Sequence, residues 1–243
     1  AMDVTIIAIL LGKRFHYPLE ELLSLATASL LHDVGLQTME GIHSKPYFLL
    51  EQEELEQYET HPRLGYSMMD TLNCFMPVET QAVYQHHENQ DGTGFPSGLT
   101  GDNIEPYKFR RARRGAIFRW AEIIAAADRY VNYTSGTLTE LPLSPPEAIS
   151  AVIEESGIML NAAVVRELVG MINIFPLGTP VKIADSINPE IIGYMGVVSK
   201  EDQMNMNRPE IVLLRSRKGH RIRPTKVDLS RDSMARLQLI FTN

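Results

Sequence analysis

The sequence predicts a mainly α-helical chain that ends in a small β-meander or partial barrel. Three observations carry this. Apolar residues recur at helical spacing from Val4 to about Val169, Gly- and Pro-rich turns divide that pattern into segments, and beyond Pro176 the chain turns to short β-branched runs. The expected division is a helical domain over residues 1–175 and a β appendix over residues 176–243.

Each element has its own signal. Val4 to Leu11 is the longest apolar run, far short of the ~20 residues of a membrane span. No charged leader precedes it and no small-residue cleavage site follows, so it does not read as a secretory signal. Leu22, Leu23, Leu25, Ala26, Leu30 and Leu31 form an apolar stripe over Pro18–Leu31. Pro18 falls near its first turn, and Glu20 and Glu21 suit the positive end of the helix dipole. Helices are expected over Glu51–Asn73, where Pro62 marks a helix start, and over Val78–His87, Gly115–Tyr133, Pro145–Glu155 and Asn161–Ile174. The clearest turns are Asp91–Gly98 and Leu141–Pro146. Strands are expected at Thr179–Ile183, Ile191–Val198, Glu210–Leu214 and Arg221–Val227.

Composition narrows the function. Lys plus Arg number 23 against 30 Asp plus Glu, a net charge of −7, which argues against DNA or general nucleic-acid binding through a basic surface. Any phosphate recognition must be local. The lone Cys74 excludes an intramolecular disulfide and makes a reducing, cytoplasmic setting the expectation. Ala1 ahead of Met2 reads as a cloning remnant, which leaves open whether the native chain begins earlier.

Four of the seven histidines stand in polar clusters: His32-Asp33, His61-Pro62, and His86-His87 followed by Glu88 and Asp91. Asp128 adds a fourth polar position after the apolar run Ile123 to Ala127. Singly, each has an ordinary structural explanation as a helix end or a surface residue. Jointly, imidazoles and carboxylates are the donor set of zinc, manganese and iron sites, and Asp33 is the natural bridge because a carboxylate can join two ions. His86 and His87 project about 100° apart on a regular helix, so both reach one ion only where the helix ends. The turn from Asn89 to Gly94 supplies that end.

At these residues the chain resembles the HD superfamily of metal-dependent phosphohydrolases, and more narrowly the HD-GYP phosphodiesterases of bacterial cyclic di-GMP signalling. Leu30-Leu-His-Asp-Val-Gly35 is similar to the HD motif, Thr60-His-Pro62 with Leu64-Gly65 to the second histidine motif, and Ala126-Ala-Asp-Arg-Tyr130 to the final metal-aspartate motif. His86 to Leu99 resembles the signature stretch, with a loop of Asp91, Gly92, Gly94, Phe95 and Pro96 in which Phe95 stands where the name-giving tyrosine is usual. Five motifs in order, counting the Phe175–Val181 start of the tail, are far more specific than an HD pair alone.

The resemblance implies an HD-type helical bundle holding two divalent ions, iron or manganese. One ion would take Asp33, His61, His86 and His87. The other would take His32, Asp33, Asp128 and a histidine from a preceding helix. Water activated on the ions at Asp33 and His32 would attack phosphorus in line.

The resemblance breaks mainly on the substrate side. The family's first metal histidine falls at or just before Ala1, and His16 is too close to the HD pair to replace it, which weakens the second metal position. The phosphate-binding lysine after the HD pair is Leu36, and the Arg and Lys after the final motif map near Thr137 and Glu140. A basic insertion within residues 105–119 includes Arg110, Arg111 and Arg113, read either as a solvated helix face or as substitute phosphate contacts.

The leading expectation is a cytoplasmic, two-metal phosphodiesterase domain that hydrolyses cyclic di-GMP to pGpG or GMP. Two alternatives stay open: a degenerate module that binds metal and a partner such as a diguanylate cyclase domain, and a hydrolase of another phosphoester. A sensory or receiver domain is the expected regulatory partner, and membrane insertion is not expected.

Overall fold

The computed structural model describes residues 1–107, 115–172, 175, 177–200 and 208–240, which divide between two compact units, Ala1–Val169 and Gly170–Asn243. The helices are α1 (Met2–Arg14), α2 (Leu19–Leu31), α3 (Gln52–Tyr58), α4 (His61–Leu72), α5 (Pro77–Gln85), α6 (Arg119–Ser135), α7 (Pro145–Glu154) and α8 (Ala162–Met171), with a 3₁₀ segment at Val34–Thr38. None of the described helices is long and apolar enough to cross a membrane.

Local chemistry sets the boundaries. Pro18 lies extended ahead of α2, and the Glu147 carboxylate accepts from the Ser144 N–H at 2.9 Å to start α7. α6 stops at Gly136, whose φ of 76° costs glycine nothing. The helix start expected at Pro62 within Glu51–Asn73 is present: the region forms α3 and α4, because Pro62 has no N–H and its ring blocks a helix running through from α3. α4 therefore starts afresh, with Pro62 in its first turn. The helix expected from Gly115 begins at Arg119, and the one expected to reach His87 stops at Gln85.

The core of the first unit is built around α6. Trp120, Ala121, Ile123, Ile124, Ala126 and Ala127 are all buried, and α6 packs on α1, α5 and α7. Full burial of each isoleucine contributes roughly 1.5–3 kcal/mol, and the alanines let neighbouring helices come close. This burial on nearly all sides is what brings Asp128 into the interior. A second close approach involves Gly35: a Cβ there would overlap the His61 carbonyl oxygen. Glycine at 35 thus lets the 3₁₀ segment press on α4 and sets Asp33 against His61.

The second unit is a five-stranded antiparallel sheet in the order β4-β3-β2-β1-β5, formed by β1 (Pro180–Asp185), β2 (Met195–Lys200), β3 (Glu210–Arg215), β4 (Arg221–Asp228) and β5 (Arg236–Leu239). The first four form a meander and β5 returns to pair with β1, Ile183 opposite Leu237. Val181, Ile183, Val198, Ile211 and Leu213 pack with Phe175 and Leu229 on one face. The strand expected from Ile191 begins at Met195, since Pro189–Ile191 forms a 3₁₀ turn. β5 has no counterpart among the sequence expectations. It is four residues long, and the chain is turned back toward it by Asp232, which accepts from the Ile187 and Met234 N–H groups.

Candidate metal centre

Six side chains from four parts of the first unit converge. His32 closes α2 and Asp33 follows it, His61 opens α4, His86 closes α5 with His87 just beyond, and Asp128 lies within α6. The end of α5 at Gln85 frees His86 and His87 from helical divergence, and their rings lie 4.1 Å apart between centroids.

Backbone carbonyls fix three of the imidazoles. The Nδ1 atoms of His32, His61 and His86 lie 2.7, 2.6 and 2.7 Å from the carbonyl oxygens of Ser29, Tyr58 and Val83, each three residues earlier. A carbonyl only accepts, so each Nδ1 carries the proton and donates it, and in the neutral ring Nε2 presents a lone pair inward. His61 Nε2 and His86 Nε2 are 3.2 Å apart. Asp33 Oδ1 lies 3.4 and 3.6 Å from them, while Asp33 Oδ2 lies 3.2 Å from His32 Nε2. Asp128 Oδ1 lies 3.3 Å from the same His32 nitrogen, and the Asn132 amide donates to Asp128 Oδ2 at 2.8 Å.

Two donor groups result, each with its ligand atoms within 4.8 Å of one another: Asp33, His61, His86 and His87, and then His32, Asp33 and Asp128. Asp33 belongs to both, with 37% of its side chain still exposed. Facing lone pairs on His61 and His86 repel, and His87 Nε2 is buried with no hydrogen-bond partner among the described residues. An unsatisfied buried polar atom costs about 1–3 kcal/mol. A cation turns all three nitrogens into ligands, so this donor set fits divalent metal, and its mix of imidazole and carboxylate suits a first-row ion.

The electrostatics of the two groups diverge. Burial pulls the His32 pKa down, but the charge of Asp33 and the hydrogen bonds with Asp128 and Asp33 outweigh it and hold His32 well above the usual range. Burial, reinforced by His86 and His61, pushes His87 well below that range. Burial likewise lowers His86, opposed by its hydrogen bond with Asp33. Burial would raise the Asp33 carboxyl, yet His32 beside it holds it well below the ordinary carboxylate value.

A cleft of about 290 Å³ opens beside these residues, lined by Tyr58, His86, His87, Phe95, Asp128, Arg129 and Asn132 among others. Phe95 stacks on His87 at 4.7 Å and 27° and, with Tyr58, forms an aromatic wall. The rest of the signature loop shapes that wall. Asp91 is exposed and accepts from the Thr93 N–H and hydroxyl, a Cβ on Gly94 would overlap the His87 carbonyl and the Asn89 nitrogen, and the Pro96 carbonyl accepts from Arg63 at 2.8 Å. Gly92 takes a φ of 83° in the turn.

Three residues escaped sequence reasoning. The Glu88 carboxylate accepts from the Ser97 and Leu99 N–H groups at 2.8 and 2.7 Å and so anchors the loop. Tyr58 supplies both the carbonyl for His61 and an aromatic face. Arg129 enters the cleft next to Asp128. Of the family's cation positions, Leu36 packs with Met39, Ile42 and Leu50, the Thr137 hydroxyl bonds Ser135, and Glu140 is exposed. His16 lies exposed just after α1 and joins neither donor group. Arg110, Arg111 and Arg113 lie outside the described residues.

Comparisons with known proteins bear on this geometry. The profile of the family described as HD domain matches residues 3–159. The chain is 24% identical over 211 residues to the cyclic di-GMP phosphodiesterase PdeB of Borreliella burgdorferi, covering 87% of this chain and 50% of that protein. It is 27% identical over 233 residues to a cyclic di-GMP phosphodiesterase of Pseudomonas aeruginosa, covering 95% and 51%. The chain thus spans about half the length of these curated relatives. A solved structure of an HDG"Y"P protein from Bdellovibrio bacteriovorus shares the fold, with a TM-score of 0.54 and 20% identity over 68% of this chain and 49% of that one.

Proposed function

The chain belongs to the HD domain family, with the motifs of its HD-GYP branch, and from that premise we propose that it is a metal-dependent phosphodiesterase domain acting on cyclic di-GMP. The observation that carries the proposal is the pair of donor groups sharing Asp33, of whose members His86, His87 and Asp128 line an open cleft. Two curated relatives named as cyclic di-GMP phosphodiesterases support the substrate.

In this reading Asp33, His61, His86 and His87 would hold one divalent ion, and His32, Asp33 and Asp128 would hold a second. Divalent ions bound there, iron or manganese, supply Lewis acidity toward phosphoryl oxygens and toward water. The chain's own residues do the rest. The carbonyls of Ser29, Tyr58 and Val83 fix which imidazole nitrogen faces inward, as outer hydrogen bonds do for metal-binding histidines generally. Asn132 holds the Asp128 carboxylate, and Tyr58 and Phe95 shield the nitrogen-rich side from solvent. Hydrolysis of one ester of the cyclic substrate gives linear pGpG, and a second cut gives GMP. The helical unit carries this chemistry and the sheet unit is an appendage to it.

A second reading is supported by the absence of a cation at Leu36, Thr137 and Glu140: a metal-holding module whose surface binds a signalling partner such as a diguanylate cyclase domain. The two separate in one experiment. Protein loaded with manganese or iron is incubated with cyclic di-GMP beside an Asp33→Ala control, and the nucleotides are resolved by chromatography. Conversion to pGpG or GMP that vanishes in the control is expected. No turnover by protein carrying its metal would overturn cyclic di-GMP as the substrate.

A further inference from the structure

We propose that Arg129 is a phosphate-binding residue of the cleft, a deepening of the reading above that rests on a phosphodiester occupying it. A bound phosphodiester brings negative charge into a cleft already lined by Glu59, Glu88 and Asp128. Arg129 is the one Lys or Arg among the described residues of that lining.

The way Arg129 is held points to an anion. Its Nε lies 3.0 Å from Glu155 Oε2 as an ion pair without hydrogen-bond geometry, and the other Glu155 oxygen accepts the Tyr133 hydroxyl at 2.6 Å. Glu155 is thereby pinned, and it pins the stem of the arginine in turn. A purely structural Arg–Glu pair of this burial gains most by turning its forked face to both carboxylate oxygens. Here the pairing runs through Nε, and the terminal nitrogens are left aside. Among the described residues Nη2 meets the Met159 thioether at 3.9 Å, a weak acceptor. The side chain is 24% exposed, so it reaches the cleft without being free in solvent. Arg129 lines the same cleft as His86, His87 and Asp128, so its charge sits beside the metal centre. An anionic oxygen beside the donor groups would satisfy these nitrogens, and Glu155 with Tyr133 would position them for it.

The test compares wild-type protein with Arg129→Ala, Arg129→Gln and Glu155→Gln, all loaded with manganese. The measurements are metal content, GMP binding by calorimetry, and KM and kcat for cyclic di-GMP and for bis(p-nitrophenyl) phosphate. Loss of one charge-assisted contact should weaken GMP binding and raise KM by about tenfold or more, with metal content unchanged. Arg129→Gln keeps part of the aliphatic stem and a polar end without the charge, and must show the same loss should the alanine variant fold poorly. Glu155→Gln, which frees a positioned arginine without removing it, should give a smaller loss in the same direction. Wild-type GMP affinity and KM in both Arg129 variants would overturn the proposal while leaving the phosphodiesterase reading intact. Arg129-dependent binding of GMP or bis(p-nitrophenyl) phosphate without turnover of cyclic di-GMP would support the arginine assignment and reject the substrate. Binding of none of the three probes would overturn both.

Discussion

The two donor groups that share Asp33 differ in what satisfies them. Asp33, His61, His86 and His87 gather three imidazoles around one carboxylate oxygen, with the ring protons of His61 and His86 already committed to carbonyls. His32, Asp33 and Asp128 instead place one imidazole between two carboxylates, an arrangement that a single proton on His32 already balances. The first group is frustrated without a cation. The second has an alternative, so a metal there competes with a proton. One carboxylate can thus serve a position built for metal and another where metal is optional.

The largest test of this contrast is to remove the shared residue. Asp33→Ala should empty both positions and lower turnover of cyclic di-GMP by roughly 1000-fold, the scale of several kcal/mol of lost Lewis-acid stabilisation. Residual turnover near wild type would show that the groups do not depend on one carboxylate. Chelation of the wild-type protein comes next. Metal present at 100-fold above its Kd stabilises the fold by about 2.7 kcal/mol, or roughly 5–10 °C in Tm. Calorimetric scans with and without chelator should show that drop in wild type and none in Asp33→Ala.

A smaller effect separates the groups. Asn132 hydrogen-bonds Asp128 and touches only the second group, so Asn132→Ala should weaken the lower-affinity ion about 10-fold and leave the other unchanged by metal titration. Equal weakening of both would dissolve the distinction. The smallest effect lies outside both groups, where a proton rather than a metal organises the site. Burial, then the hydrogen bond with Glu155, pushes the Tyr133 pKa up to about 12 from 10.0. The phenol is neutral when protonated, so its contribution is fully present below 10.0 and is lost as pH rises through about 12. Alkaline melting curves of Tyr133→Phe should lack that part of the decline over the same window.

Much of the centre was legible because its signals are local. The Asn89–Gly94 turn announces that the helix ends around His86 and His87. What escaped is nonlocal. Glu88 acts on N–H groups nine and eleven residues later, which no periodicity displays. Arg129 looks like one more polar residue after Asp128, and its aim depends on Glu155, beyond a turn and a further helix. The helices were readable from spacing, including the start at Pro62, and the departures lie at ends such as Arg119 and Gln85. β5 stayed hidden because four alternating residues acquire meaning only when paired with β1.

The most direct test of the central claim is a manganese titration by equilibrium dialysis on wild type, Asp128→Ala and Asp33→Ala. Two ions per wild-type chain, one bound at least about tenfold more tightly, are predicted. The weaker ion should be missing in Asp128→Ala and both should be missing in Asp33→Ala. A single ion in wild type, or an unchanged pair in Asp128→Ala, would contradict the two-position account.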